Sequence, residues 1–340
     1  MPDQDRYWDC VDQAHQASMG GRREEALAWL DEALRLNPLG AEAYSSRGEI
    51  LWDHGHYDDA LRAFERAAEA DPTFLAAPLN RIEILIEEFQ EFEEALELSD
   101  ELLQQGPETA EEAEVYYLKA KALFYLEDLD GALFLLKRAL KLQGEVAVYR
   151  GFEGQILFEL GRFEAAMDSL SQARGLEPES AHTFYHQALC LEHTGQYARA
   201  EDFFVRAGQL EPEIYPEPVR ISGEDFETAA SQALLSLPAA IRSYVQSCPI
   251  LIEDLPDREL LREGDMSPQI LGFFQGVPAT DADAQAPRVD IDRIVLFKRN
   301  LEKVASDRAE LLEQIQITVK HEIGHYLGLD EEDVERLGLG

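Results

Sequence analysis

The chain has 340 residues, 45% of them hydrophobic and 29% charged, with a net charge of −38. This is the composition of a soluble globular protein of two or three domains. Such acidity repels a polyphosphate backbone and argues against nucleic acid as a partner, and no apolar run approaches the roughly 18 residues that cross a bilayer. Cys10, Cys190 and Cys248 are isolated and odd in number, which speaks against a disulfide framework and for a reducing, cytoplasmic compartment. The opening, Met1-Pro-Asp-Gln-Asp-Arg6, leads straight into a helical pattern and does not read as a secretory signal.

Residues 1–212 repeat with a spacing of about 34 residues. The clearest unit carries Tyr44, Gly48, Gly55-His-Tyr57, Ala60, Phe64, Ala67 and Asp71-Pro72. One spacing upstream stand Gly21, Ala26, Leu30, Ala33 and Asn37-Pro38. Later units give Gly161-Arg-Phe163, Ala166, Leu170, Ala173, Glu177-Pro178, and then Gly195-Gln-Tyr197, Ala200, Phe204, Ala207, Glu211-Pro212. Two intervening units are weaker: one ends at Gly106-Pro107 with a one-residue insertion, the other has Tyr116, Ala120, Ala132, Ala139 and Gly144. Small residues let two helices approach closely, Gly-x-aromatic turns the chain between them, and Pro stops the second helix.

These residues resemble the tetratricopeptide repeat family over roughly residues 7–212. The resemblance implies about six helical hairpins in an α-solenoid whose concave face holds a protein or peptide partner. The register puts Tyr117, Lys121, Phe124 and Tyr125 of the fourth unit, Phe152 and Phe158 of the fifth, and Tyr185 and His186 of the sixth on that face. An aromatic groove with acidic surroundings suits an apolar segment flanked by Lys or Arg. His182, His186 and His193 fall along one helix face, which reads as solvated groove surface rather than a second metal site.

Pro212, Pro216 and Pro218 break the pattern, and residues 213–223 read as a stiff linker. Residues 224–340 read as a small α/β domain. It has an amphipathic helix over Asp225–Gln246 despite Pro238, and three short strands at Pro249–Glu253, Leu271–Gln275 and Arg293–Phe297. Residues 278–288 form a breaker-rich loop, and a long helix runs from about Ala305 to Leu327.

That last helix carries His321-Glu322-Ile323-Gly324-His325. His321 and His325 are one turn apart, so both imidazoles can reach one tetrahedral Zn²⁺, with Glu322 beside the open position as general base. Gly328 is a natural left-handed helix stop that turns the chain back, so that Glu331 can approach the metal. Asp330, another acid or water are alternatives for that third position, since Asp330 can instead cap a short terminal helix Glu331–Leu337.

The string His-Glu-Ile-Gly-His-Tyr-Leu-Gly-Leu-Asp-Glu, with the strands before it, resembles the minimal zincin-like metallopeptidases over residues 224–338. The resemblance implies a zinc-dependent peptide-bond hydrolase whose repeats select a substrate. The alternative is a non-catalytic scaffold in which this domain is structural.

Overall fold

The structure, a computed structural model, describes residues 2–245, 248–264, 266–276 and 293–329. Its contacts divide the chain into two compact units, Met1–Ile156 and Leu157–Gly340.

The first unit is helical. Its elements are α1 (Pro2–Met19), α2 (Arg23–Leu36), α3 (Ala41–Trp52), α4 (Tyr57–Ala70), α5 (Ala76–Ile84), α6 (Phe92–Gln105), α7 (Thr109–Tyr125) and α8 (Leu129–Leu142). The helix α9 (Ala147–Glu159) crosses the division. Successive helices pack as hairpins because the small positions seen in the sequence lie at their contacts. Ala26, Ala33, Ala60, Ala67, Ala132 and Ala139 are all fully buried. At Gly48 the approach is closest: a Cβ there would sit 2.4 Å from Cε1 of the buried Phe64 ring.

The two weaker units depart from the pattern for physical reasons. The inserted residue of the third unit is absorbed inside its first helix, where α5 continues as a π turn over Leu85–Phe89 and Glu91 N–H donates to the Leu85 carbonyl. The hairpin turns use a left-handed residue, which is Gly21 and Gly55 in the first two units but Gln90 (φ 55°) and Glu127 (φ 63°) in the next two. Side-chain-bearing residues in that conformation blur the repeat signature without altering the turn.

The second unit continues with α10 (Phe163–Leu176), α11 (Ala181–His193) and α12 (Tyr197–Leu210). Then come α13 (Gly223–Ser236), α14 (Ala239–Val245), β1 (Ile250–Glu253), α15 (Arg258–Gly264), β2 (Gly272–Gln275), β3 (Arg293–Phe297), α16 (Lys298–Leu301) and α17 (Arg308–Tyr326). The sheet order is β1-β3-β2, with β1 parallel to β3 and β2 antiparallel to it. Ile294 and Leu296 of the central strand join Phe226, Ala229 and Ala233 of α13 and Leu311, Ile315, Val319 and Ile323 of α17 in one core.

Two sequence expectations are corrected here. The helix expected over Asp225–Gln246 is two helices, because Pro238 disfavours helical backbone at Leu237, whose ψ is 151°. The last helix starts at Arg308, where the Asp307 carboxylate accepts from the N–H groups of Ala309 (2.7 Å) and Glu310 (2.9 Å). The short helix α15 has no counterpart in the sequence reading. The expected loop 278–288 and terminal helix Glu331–Leu337 lie outside the described residues. Cys10, Cys190 and Cys248 are free and buried.

The close approach at Gly48 makes a measurable prediction. Gly48→Ala should destabilise the protein by about 1–3 kcal/mol in urea unfolding, through overpacking against Phe64. An unchanged midpoint would mean that the helices separate there at no cost.

Candidate metal centre

Helix α17 carries three roles on adjacent stripes. Leu311, Ile315, Val319 and Ile323, four residues apart, are fully buried and fix the rotation of the helix against α13 and the sheet. The next stripe, Thr318, Glu322 and Tyr326, is also buried, at 7%, 6% and 6% exposure. It faces β2: a Cβ on Gly272 would lie 3.1 Å from Thr318 Cγ2, and the Phe274 and Tyr326 rings meet edge to face at 5.4 Å. Glu322 sits between those two contacts on the same stripe.

His321 and His325 occupy the neighbouring, half-buried positions. Their Nε2 atoms are 3.0 Å apart, with ring centroids at 4.7 Å and planes at 80°. With Zn–N distances of about 2.0–2.1 Å, two nitrogens of one tetrahedron lie roughly 3.3 Å apart. The separation is therefore close to that of two ligands of a single ion, and in the structure the two nitrogens share a hydrogen bond.

The helix ends as the sequence indicates. Gly328 is left-handed at φ 78°, Leu329 N–H donates to the Gly324 carbonyl (3.0 Å) and Gly328 N–H to that of His325 (3.0 Å). This paired cap closes the helix shortly after the second histidine. Glu331 and Asp330, the acids expected to complete the donor set, lie outside the described residues. Among the described residues no group of three or more His, Cys, Asp or Glu side chains gathers for a metal.

The expected groove residues separate into two kinds. In the first unit Tyr117 contacts the rings of Tyr149 (4.9 Å) and Phe152 (5.7 Å), and Phe124 contacts Phe152 (5.4 Å). Tyr125 stacks on Phe92 at 5.3 Å and keeps 48% of its surface exposed. Lys121 Nζ pairs with Glu87 at 2.5 Å and Glu83 at 3.6 Å. Phe152, at 8% exposure, anchors the cluster from beneath instead of lining an open surface.

In the second unit the expectation fails for two residues. Phe158 is fully buried against Phe163 (5.5 Å) and His193 (5.6 Å), and is inter-repeat packing. His186 is buried against Tyr185, with its Nδ1 2.9 Å from the His182 carbonyl. Tyr185 is half-buried among Tyr215 (4.9 Å) and Phe204 (5.5 Å). The three histidines of α11 are not a solvated face. Burial lowers the pKa of His186 to about 4, and burial with the nearby Lys303 charge lowers that of His193 to about 3. Burial and the His186 neighbour hold His182 well below the ordinary value as well.

Comparison with known proteins gives two families. Tetratricopeptide repeat models match residues 11–73, 51–122, 117–174 and 152–209, and the Zincin-like metallopeptidase model matches residues 245–340. Human DnaJ homolog subfamily C member 7 is 24% identical over 197 residues, covering 56% of this chain and 40% of its own length. The chain thus matches about two fifths of the curated relative. The pilF protein of Pseudomonas aeruginosa superposes with a TM-score of 0.54 at 14% identity, over 63% of this chain and 95% of its own. The type IV pilus biogenesis factor PilW gives 0.54 at 16% identity, over 61% and 94%. These likenesses establish a fold.

The left-handed cap carries a prediction. Gly328→Ala should cost about 1–2 kcal/mol of stability, because a Cβ is unfavourable at φ 78°. A thermal melt indistinguishable from wild type would show that the cap does not bear on the fold.

Proposed function

From a chain that belongs to the tetratricopeptide repeat proteins over residues 11–209 and to the zincin-like metallopeptidases over residues 245–340, we infer a zinc-dependent peptidase whose repeats hold a protein substrate. The observation that carries the reading is the close approach of the His321 and His325 Nε2 atoms, 3.0 Å apart on one face of α17. Glu331, six residues beyond His325, is the acid proposed to join them. Zinc, when bound, supplies Lewis acidity and a water of lowered pKa.

The chain's own residues do the rest. Glu322, one position from His321 and buried beside β2, is the proton acceptor, since a carboxylate off the metal can take a proton and pass it to a leaving amine. Burial of the Thr318–Glu322–Tyr326 stripe keeps that carboxylate in one orientation. A domain whose metal were only structural would have no use for an acid in that place.

The partner proposed for the repeats is a protein segment with an apolar anchor flanked by Lys or Arg. Tyr117, Phe124 and the exposed Tyr125 offer the aromatic surface, with Glu83 and Glu87 around Lys121 as its acidic border. No described helix is long and apolar enough to cross a membrane. Three buried free thiols suit the reducing cytoplasm as the place of action.

Two experiments test this. Glu322→Gln should leave the metal content intact while lowering hydrolysis of apolar peptides flanked by Lys or Arg by at least about 100-fold. Retained hydrolysis would place the base elsewhere, and none in the zinc-loaded wild type would favour the scaffold alternative. In fluorescence anisotropy with the same peptides, the Tyr117→Ala/Phe124→Ala double variant should bind at least about 10-fold more weakly. Rising salt should weaken wild-type binding through screening. Equal binding by wild type and variant would make these aromatics packing groups only.

A further inference from the structure

The last repeat and the C-terminal module of the second unit meet at a buried ion cluster. Glu192, on α11, has no exposed side-chain surface. It accepts from Arg220 Nη2 (2.8 Å), Arg299 Nη1 (2.9 Å) and Lys303 Nζ (2.6 Å). Glu302, its side chain 1% exposed, accepts from Arg220 Nη1 (2.9 Å), from Lys298 and from the Ile221 N–H (3.1 Å), and its carbonyl accepts from the Val219 N–H (2.8 Å). Glu201 on α12 takes Arg220 Nε at 3.0 Å, and the Arg299 guanidinium lies 3.9 Å from the centre of the Tyr197 ring. A second contact lies beyond the cluster, where Ser267 and Gln269 each donate to Glu159 at 2.7 Å.

The ownership of these charges is informative. Arg299 and Lys303 belong to the segment that follows β3, whereas Glu192 lies 107 and 111 residues earlier in a repeat helix. Burial by itself would raise the Glu192 pKa, but Lys303, Arg220 and Arg299 outweigh it and hold it below the ordinary value. Without Glu192, three cations would be left close together, Lys303 with only 4% of its side chain exposed. A buried charge stripped of its partner is strongly destabilising. Between Arg299 and Lys303 stands Leu301, which is fully buried in the core that contains Leu311, Ile315, Val319 and Ile323 of α17.

We propose that the last repeat hairpin is a structural component of the C-terminal module, with Glu192 as the ionic lock that joins α11 and α12 to the bed of α17 in one cooperative unit. Glu192 is a positioning residue acting through α16 and Leu301. Any strain on α11 and α12 then reaches the helix that bears His321 and His325. The segment 213–223 is correspondingly a pinned strap, since Arg220 is held by Glu192 and Glu201 on one side and by Glu302 on the other, and the Val219 and Ile221 N–H groups are both held by Glu302.

The test uses the full chain without added metal, so its outcome is independent of the zinc reading. Native-state hydrogen exchange in rising denaturant should show α11, α12, β3 and α17 opening together, and Glu192→Gln should speed exchange in all four. Its Tm should fall by roughly 10 °C. As a guard against outright unfolding of that variant, Glu192→Gln/Lys303→Met removes the stranded cation as well and should recover about half of the loss. Faster exchange confined to α11 and α12, an unchanged Tm for Glu192→Gln, or no recovery in the double variant would each overturn the lock.

Discussion

The burial of one stripe of α17 is the constraint on which the C-terminal module depends. Its strands have only four or five residues each, too short to be stable as a free sheet. They persist because Leu311, Ile315, Val319 and Ile323 lie against Ile294 and Leu296 on one side and α13 on the other. Once those four side chains are buried, the rotation of the helix is fixed, and with it the direction of every other position. Thr318, Glu322 and Tyr326 must then meet β2, and His321 and His325 must fall on the next, more open stripe. The places of these residues on the helix follow from its hydrophobic register.

The repeats obey a different constraint, the distance between helix axes. Alanines at the contacts let the helices approach closely, and large side chains such as Leu30, Phe64, Leu136, Phe163 and Phe204 are buried between them. Such packing tolerates local change where the extra length has somewhere to go. The third unit shows this: its additional residue becomes a π turn in the first helix, and the second helix still presents Ala95 to the core. A partner-binding surface can vary on such a frame, because the residues that set the frame are small and lie beneath it.

Much of this was legible in the sequence because it follows from local periodicity. The alanine and glycine spacing marked the hairpins, short apolar runs marked the three strands, and Gly328 marked the helix stop that its φ of 78° bears out. The histidine pair was legible because two residues four apart on a helix must share a face. What was not legible depends on residues distant in the chain. No local pattern announces that Glu192 meets Arg220 and Lys303, or that Phe158 and His186 turn inward. A groove position and an inter-repeat position occupy neighbouring places on the same helix, and only the packing of the next hairpin separates them. Pro238 was legible as a breaker, but the amphipathic pattern on both sides of it reads as one helix.

The central claim is that α17 presents a metal centre, and metal content measures it most directly. Purified full-length protein, loaded with zinc and dialysed free of excess, should retain about one zinc per chain by mass spectrometry, while His321→Ala and His325→Ala should each retain close to none. Wild-type protein that holds no zinc after loading, or variants that hold as much as wild type, would contradict the account.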